Sequence, residues 1–320
     1  MSFYRTMTAC AAMAITLCAG GTALLPAAAQ GTSELQDSST QSAAPAKSAP
    51  TGNVIFFHPD GTGVNHWTAA RIAHKGPDGT LNWDKLPALG VYTGHMKTRL
   101  TGTSHGGATV HAYGVKVHHD SFGLDREAPI TAASGKQLSI AREAMAAGKA
   151  VGLIQTGHIA EPGTAVFVAS AKKRSDRVGI AAQVIESGAQ VIMAGGERYL
   201  LPEGTEGFHG KGTRTDGMNL IAKARQLGYT IVYNATQLAA VDLAATDKLL
   251  GVFAHNHTFN DRPRERNLLA GDPTYVDGAP SIAQMLAAAL PILSRNEKGF
   301  LAVVEEEGTD NLANAMNAFG

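Results

Sequence analysis

The strongest constraint on this chain is an alternation of short apolar runs with amphipathic stretches that stop on glycine. The runs begin with "NVIFFHPDG" and recur at Val151–Gln155, Gln190–Ala194, Thr230–Tyr233, Leu249–Ala254 and Phe300–Glu305. Their brevity and their bounding turn residues suit strands buried on both faces. Between them, "QLSIAREAMAAG", "RVGIAAQVIESG" and "GMNLIAKARQLG" carry helical patterns, each ending in a glycine where a left-handed cap is favoured. "SIAQMLAAALPILSRNE" opens on a serine cap before the last run, and Pro291 is expected to kink it. Strands alternating with helices predict an α/β fold: a doubly wound, mostly parallel central sheet with helices on both faces. No internal repeat is visible.

The beginning of the chain reads as something other than fold. "MSFYRT" supplies Arg5, an Ala-rich apolar core follows, and "AAAQ" places small residues before an expected cut after Ala29. Residues 1–29 are therefore read as a secretory signal peptide, which implies a periplasmic or extracellular protein. Both cysteines, Cys10 and Cys18, fall inside it, so the mature chain is expected to hold neither thiol nor disulfide. Residues 30–52 are Ser, Thr, Gln, Ala and Pro with almost no large apolar residue, and read as a disordered linker. Residues 53–320 are ample for a sizeable core. The 27 basic side chains balance the 27 acidic ones without a basic run, which excludes nucleic acid or an anionic membrane as partner. After the leader no apolar run is long enough to serve as a membrane anchor.

Ligands of open α/β sheets gather at the C-terminal strand ends. That rule selects Asp60 after the first run, Glu161 and Thr164 after the second, and Glu305, Glu306, Glu307 and Asp310 at the last. "EEEGTD" by itself reads more readily as a solvated turn, and "PDG" as ordinary turn chemistry. The other reading of the same residues is a set of oxygen ligands for a divalent metal, with Thr164 adding a neutral oxygen. Ser104, in "TSHGGATVHAYGVK", is either a helix cap or a nucleophile at a helix N-terminus, where free N–H groups and the dipole favour negative charge. Gly106 and Gly107 would let backbone approach a ligand. Arg174, in "AKKRSD", is either a solvated charge or a planar fork for two phosphoryl oxygens. His58, His66, His105 and His111 flank these motifs without a tight metal-binding spacing.

Taken in order, these segments resemble the alkaline phosphatase family. "NVIFFHPDGTG" is similar to its first strand with a bridging metal aspartate, here Asp60, and "TSHGGATVHAYGVK" to its nucleophile segment, with Ser104 as the serine that is phosphorylated. "IAEPGTAVFVASAKKR" resembles the magnesium-threonine segment, giving Thr164 as a ligand and Arg174 as the phosphate arginine. "VIMAGGERYLLPEG" and "LLGVFAHNH" are similar to structural stretches. "PSIAQMLAAALPILSRNEKGFLAVVEEEGTDNLAN" resembles the late helix–strand unit, with Glu305 as a magnesium ligand and Asp310 as a zinc ligand. The resemblance implies hydrolysis of phosphate monoesters through phosphoserine at Ser104, with two Zn2+ and one Mg2+, and Ser104 itself against a metal. It also implies a homodimer.

The chain departs from the family pattern at several points. Thr103 stands where many relatives carry an aspartate that orients the arginine, and Asn314 where many carry a zinc histidine. Pro162 stands where an acidic residue or histidine often serves magnesium, with Glu161 beside it as a substitute. The family's Asp-His pair and late zinc histidine normally follow the segment that ends at Gly320, so later strands are expected to be missing and a sheet edge unpaired. A domain incomplete in this way has too few zinc ligands, and the alternative is a protein that binds metal or phosphate without turnover.

Overall fold

A computed structural model describes residues 52–260, 273–317 and 320. The expected signal peptide and, Gly52 apart, the expected linker lie outside the described residues.

All six apolar runs form strands: β1 (Val54–Pro59), β2 (Ala150–His158), β3 (Val191–Gly195), β4 (Thr230–Val232), β5 (Leu249–Val252) and β6 (Phe300–Glu306). They make one sheet in the order β1-β6-β2-β3-β5-β4, every neighbouring pair parallel. The helices among the described residues are α1 (Val64–Lys75), α2 (Ser104–Tyr113), α3 (Ile140–Ala146), α4 (Pro162–Ala165), α5 (Arg177–Ile185), α6 (Leu220–Gln226), α7 (Ala235–Ala239), α8 (Ile282–Leu293) and α9 (Gly308–Asn314).

Alternation along the strands divides the apolar core in two. Val151, Leu153, Leu301 and Val303 pack on one face with residues of α2, α3, α5 and α6. Ile154, Met193, Ala302 and Val304 pack on the other beneath Met285, Ala289 and Leu293 of α8. The helix sits close: a Cβ added at Gly152 would lie 2.8 Å from Leu293 Cδ1. Ser139, Asn219 and Ser281 cap α3, α6 and α8 through their side chains, and Gly148, Gly188 and Gly228 follow α3, α5 and α6 with φ of 80°, 89° and 86°. Helix α8 continues through Pro291 to Leu293.

The segment that opens the described domain is less enclosed. Strand β1 lies at the sheet edge, paired only with β6, and Phe57 is 62% exposed. Helix α1 buries none of its residues, and Leu86, Leu89, Val91 and Leu100 are largely exposed. Among the described residues β1 and β4 are the two edge strands of the sheet.

Candidate active site

The C-terminal ends of β1, β6 and β2 lie side by side, so their terminal residues share one rim. Asp60 follows β1 and is buried, with its backbone N–H donating to the Glu306 carbonyl at 3.1 Å. Strand alternation then sorts the acidic triplet. Glu306 turns aside to accept from Thr156 Oγ1 at 2.6 Å and Tyr275 OH at 3.2 Å. Glu305 and Glu307 turn toward Asp60, and one oxygen from each of the three carboxylates lies within 4.8 Å of the others.

Among the described residues His58 approaches that group, with Nε2 3.7 Å from Asp60 Oδ1 and Nδ1 4.0 Å from Glu305 Oε1, without hydrogen-bonding the buried oxygens. Among the described residues, Asp60 Oδ2, both oxygens of Glu305 and Glu307 Oε2 are buried without a hydrogen-bond partner. Burial, then the neighbouring Asp60 and Glu161, pushes the Glu305 carboxyl well above the usual carboxylate range. Burial and the Glu305 charge push Glu307 the same way. Orphaned carboxylate oxygens at such depth carry a large desolvation cost, which a cation removes. The donor set is all oxygen and suits a hard divalent ion such as Mg2+. Gly163 makes room for it, since a Cβ there would collide with the Glu305 carboxylate.

Thr164, expected as a magnesium ligand, lies in α4, buried, with its hydroxyl accepting from Gln155 Nε2 at 2.5 Å. The third carboxylate beside Asp60 and Glu305 is Glu307.

Asp310, in α9, packs against Gly61 so closely that no Cβ fits there, and Gly61 adopts φ 64°. Burial and the charge on Asp60 raise the Asp310 carboxyl above its ordinary value. Its Oδ2 accepts from Asn314 Nδ2 at 3.1 Å. Among the described residues, neither three-donor group of His, Asp and Glu includes Asp310. The donors present therefore fit one hard cation, whereas the ligands of the two zinc ions are not assembled among the described residues. The nearest imidazole to the acidic group is His58, with Nε2 3.7 Å from Asp60 Oδ1.

Ser104 is the first residue of α2, and the cap is the residue before it: Thr103 Oγ1 accepts from Gly106 N at 3.0 Å. Arg174 stands in the turn before α5, with Nη2 2.6 Å from Glu161 Oε2. His105, next to Ser104, is pushed down to about 4 by burial and then by the Arg174 charge. The Arg174 charge is thus felt at His105, in the first turn of α2. Burial opposes the charge on Arg174, yet Glu161 and then Glu307 and Asp60 hold its pKa above the ordinary value.

A second cluster was not foreseen. His158, Glu161 and His257 also bring three donor atoms within 4.8 Å. His158 ends β2, and His257 comes from the loop after β5, a stretch whose sequence reads as structural. Their only sequence signal is position beyond strand ends.

A single parallel sheet whose rim joins a buried carboxylate group, an arginine and a serine at a helix head defines an α/β protein with its charged side chains gathered at the C-terminal strand ends. The chain matches the family description "Alkaline phosphatase" over residues 51–319, and it belongs to that family. It is 31% identical over 291 residues to the rat alkaline phosphatase, tissue-nonspecific isozyme, covering 79% of this chain and 53% of that protein. It is 29% identical over 312 residues to the Escherichia fergusonii alkaline phosphatase, covering 85% and 63%. The chain thus spans little more than half to three fifths of these relatives' length. Among solved structures, Thermus thermophilus alkaline phosphatase aligns with TM-score 0.64 at 26% identity, over 83% of this chain and 54% of that one. The family is one whose members use metal cofactors, in keeping with the ligand groups present. No helix among the described residues is long and apolar enough to cross a membrane.

Proposed function

We propose that this domain hydrolyses phosphate monoesters by way of a phosphoserine at Ser104. The observation that carries the reading is the meeting, at one rim, of orphaned buried carboxylates with Arg174 and the head of α2. Asp60, Glu305 and Glu307 would hold a Mg2+-type ion, which when bound supplies positive charge beside the phosphoryl group. Arg174 would grip two phosphoryl oxygens with its planar fork, holding phosphorus in line with the serine. The first-turn N–H groups of α2 have no partner within the helix and favour negative charge on Ser104 Oγ and on the group it receives. Ser104 Oγ then bonds to phosphorus as the ester oxygen leaves, and water later breaks the Oγ–P bond to release phosphate. Most of the benefit is electrostatic.

The roles of Thr164 as a magnesium ligand and Asp310 as a zinc ligand rest on the resemblance alone. Two zinc ions would need donors beyond those the described residues bring to Asp310, and no step is assigned to them. Secretion to the periplasm or beyond the cell rests on the sequence of residues 1–29, and a homodimer on the resemblance.

A second reading has its own observation. The Asn314 amide fills the place beside Asp310 at 3.1 Å where the family pattern puts an imidazole, which favours binding of metal or phosphate without turnover. A panel of phosphate monoesters and diesters, assayed with the purified chain and added Mg2+ and Zn2+, separates the two. Monoester turnover inhibited by inorganic phosphate supports hydrolysis. Phosphate binding without turnover of any ester supports the second reading.

A further inference from the structure

The ion pair between Arg174 and Glu161 belongs to a larger arrangement. Glu161 sits at the start of α4 without capping it: its side chain makes no hydrogen bond to the helix. Its carboxylate is instead buried and fully engaged. Oε2 takes Arg174 Nη2 at 2.6 Å, and Oε1 faces His158 Nε2 at 2.8 Å and His257 Nε2 at 3.4 Å.

The two imidazoles are themselves fixed. His158 lies between the rings of Tyr199, 4.9 Å away, and His257, 5.3 Å away, and His257 stacks on Phe259 at 5.0 Å. The Asn311 amide nitrogen stands 3.4 Å from His257 Nδ1, which suits a lone pair there and the proton on Nε2, facing Glu161. His158 Nε2, at 2.8 Å from a carboxylate, likewise carries the proton. His158 Nε2 thus donates to Glu161 Oε1, and the His257 ring closes over the same oxygen at 3.4 Å. A cation among these three residues would have to displace that donor beside a guanidinium, so the trio is better suited to holding a carboxylate than a metal.

Arg174 needs such a restraint. Its side chain is 35% exposed and comes from a turn, and Glu161 is its one ion-pair partner among the described residues. Thr103, beside the serine, is uncharged and engaged elsewhere, capping α2 and donating to the His119 carbonyl.

We propose that Glu161 is the positioning residue for Arg174: His158 and His257 lock the Glu161 carboxylate, which fixes one edge of the guanidinium and leaves the other for a phosphoryl group. The last clause rests on the reading of the site given above. Glu161 acts through Arg174 and does not touch substrate.

Two measurements on the full chain with Mg2+ test this separately from that reading. The first is inorganic phosphate affinity by titration calorimetry for the parent protein, Arg174→Ala, Glu161→Gln, Glu161→Asp and the Arg174→Ala/Glu161→Gln double variant. Glu161→Gln is expected to weaken phosphate about tenfold or more, Glu161→Asp to recover part of the loss, and the double variant to bind no worse than Arg174→Ala alone. Undiminished binding by a Glu161→Gln protein that unfolds cooperatively, with Arg174→Ala weakened, overturns the proposal. The second measurement needs no ligand: nitrogen-15 NMR of the Arg174 guanidinium. Slow rotation in the parent protein that becomes fast in Glu161→Gln supports the clamp even if phosphate does not bind, an outcome that would instead overturn the reading of the site. Equal rotation in both proteins overturns the clamp.

Discussion

Thr103 Oγ1 accepts the backbone N–H of Gly106 at 3.0 Å, so the cap of α2 is the threonine and not the serine that follows it. The two residues can therefore be separated by mutation. Thr103→Ala should cost about 1 kcal/mol of stability through the lost cap. Ser104→Ala should stay within about 0.5 kcal/mol of the parent while abolishing ester turnover. Denaturant unfolding of both variants, alongside an ester assay, checks the pair.

The orphaned carboxylates at Asp60, Glu305 and Glu307 predict a pH dependence whose sign depends on metal. Glu305 and Glu307 are raised above their ordinary value in the fold, so between that value and the raised one the folded state binds more protons than the unfolded. Stability of the metal-free protein attributable to them is present below the ordinary range and lost as pH rises through the folded values. Bound cation requires ionised carboxylates and reverses the slope. Thermal unfolding across pH in chelator and in excess Mg2+ should give opposite trends, and Glu305→Gln should flatten both.

Gly163 leaves no room for a side chain because the Glu305 carboxylate occupies the space. Gly163→Ala should cost about 1–3 kcal/mol through overpacking and weaken Mg2+ binding by turning Glu305 away. Calorimetric Mg2+ titration beside a thermal melt reads both effects.

The exposed edge at β1 is a surface on which strands add. Val54, Ile55 and Phe57 are 46%, 39% and 62% exposed on a strand paired, among the described residues, along one side only. Such an edge favours self-association. Sedimentation velocity should show concentration-dependent association of the purified chain, reduced by Phe57→Lys with the melting temperature little changed.

How far the sequence carries depends on what each element buries. All six strands are legible as short apolar runs, and β2, β3, β5 and β6 owe theirs to burial on both faces, as at Val151–Gln155 and Leu249–Ala254. Helix α1 escapes notice because it buries nothing, so no apolar stripe marks Val64–Lys75. At the site, Asp60, Glu305 and Asp310 are legible by their place at strand ends and Arg174 through the family resemblance, and the structure brings their charges together. The role of Glu307 depends on strand alternation, which turns Glu306 aside and leaves its two neighbours facing Asp60. His257 stands about a hundred residues from Glu161 in sequence, and only the adjacency of β5, β3 and β2 in the sheet brings their loops together.

The central claim is that Ser104 carries the phosphoryl group. The most direct measurement is acid quenching of the metal-loaded protein during exposure to a phosphate monoester, followed by peptide mass spectrometry. Phosphate is expected on the peptide containing Ser104 and none in Ser104→Ala. Ester turnover with no phosphorylated Ser104 peptide, or with the phosphate on another residue, would contradict it.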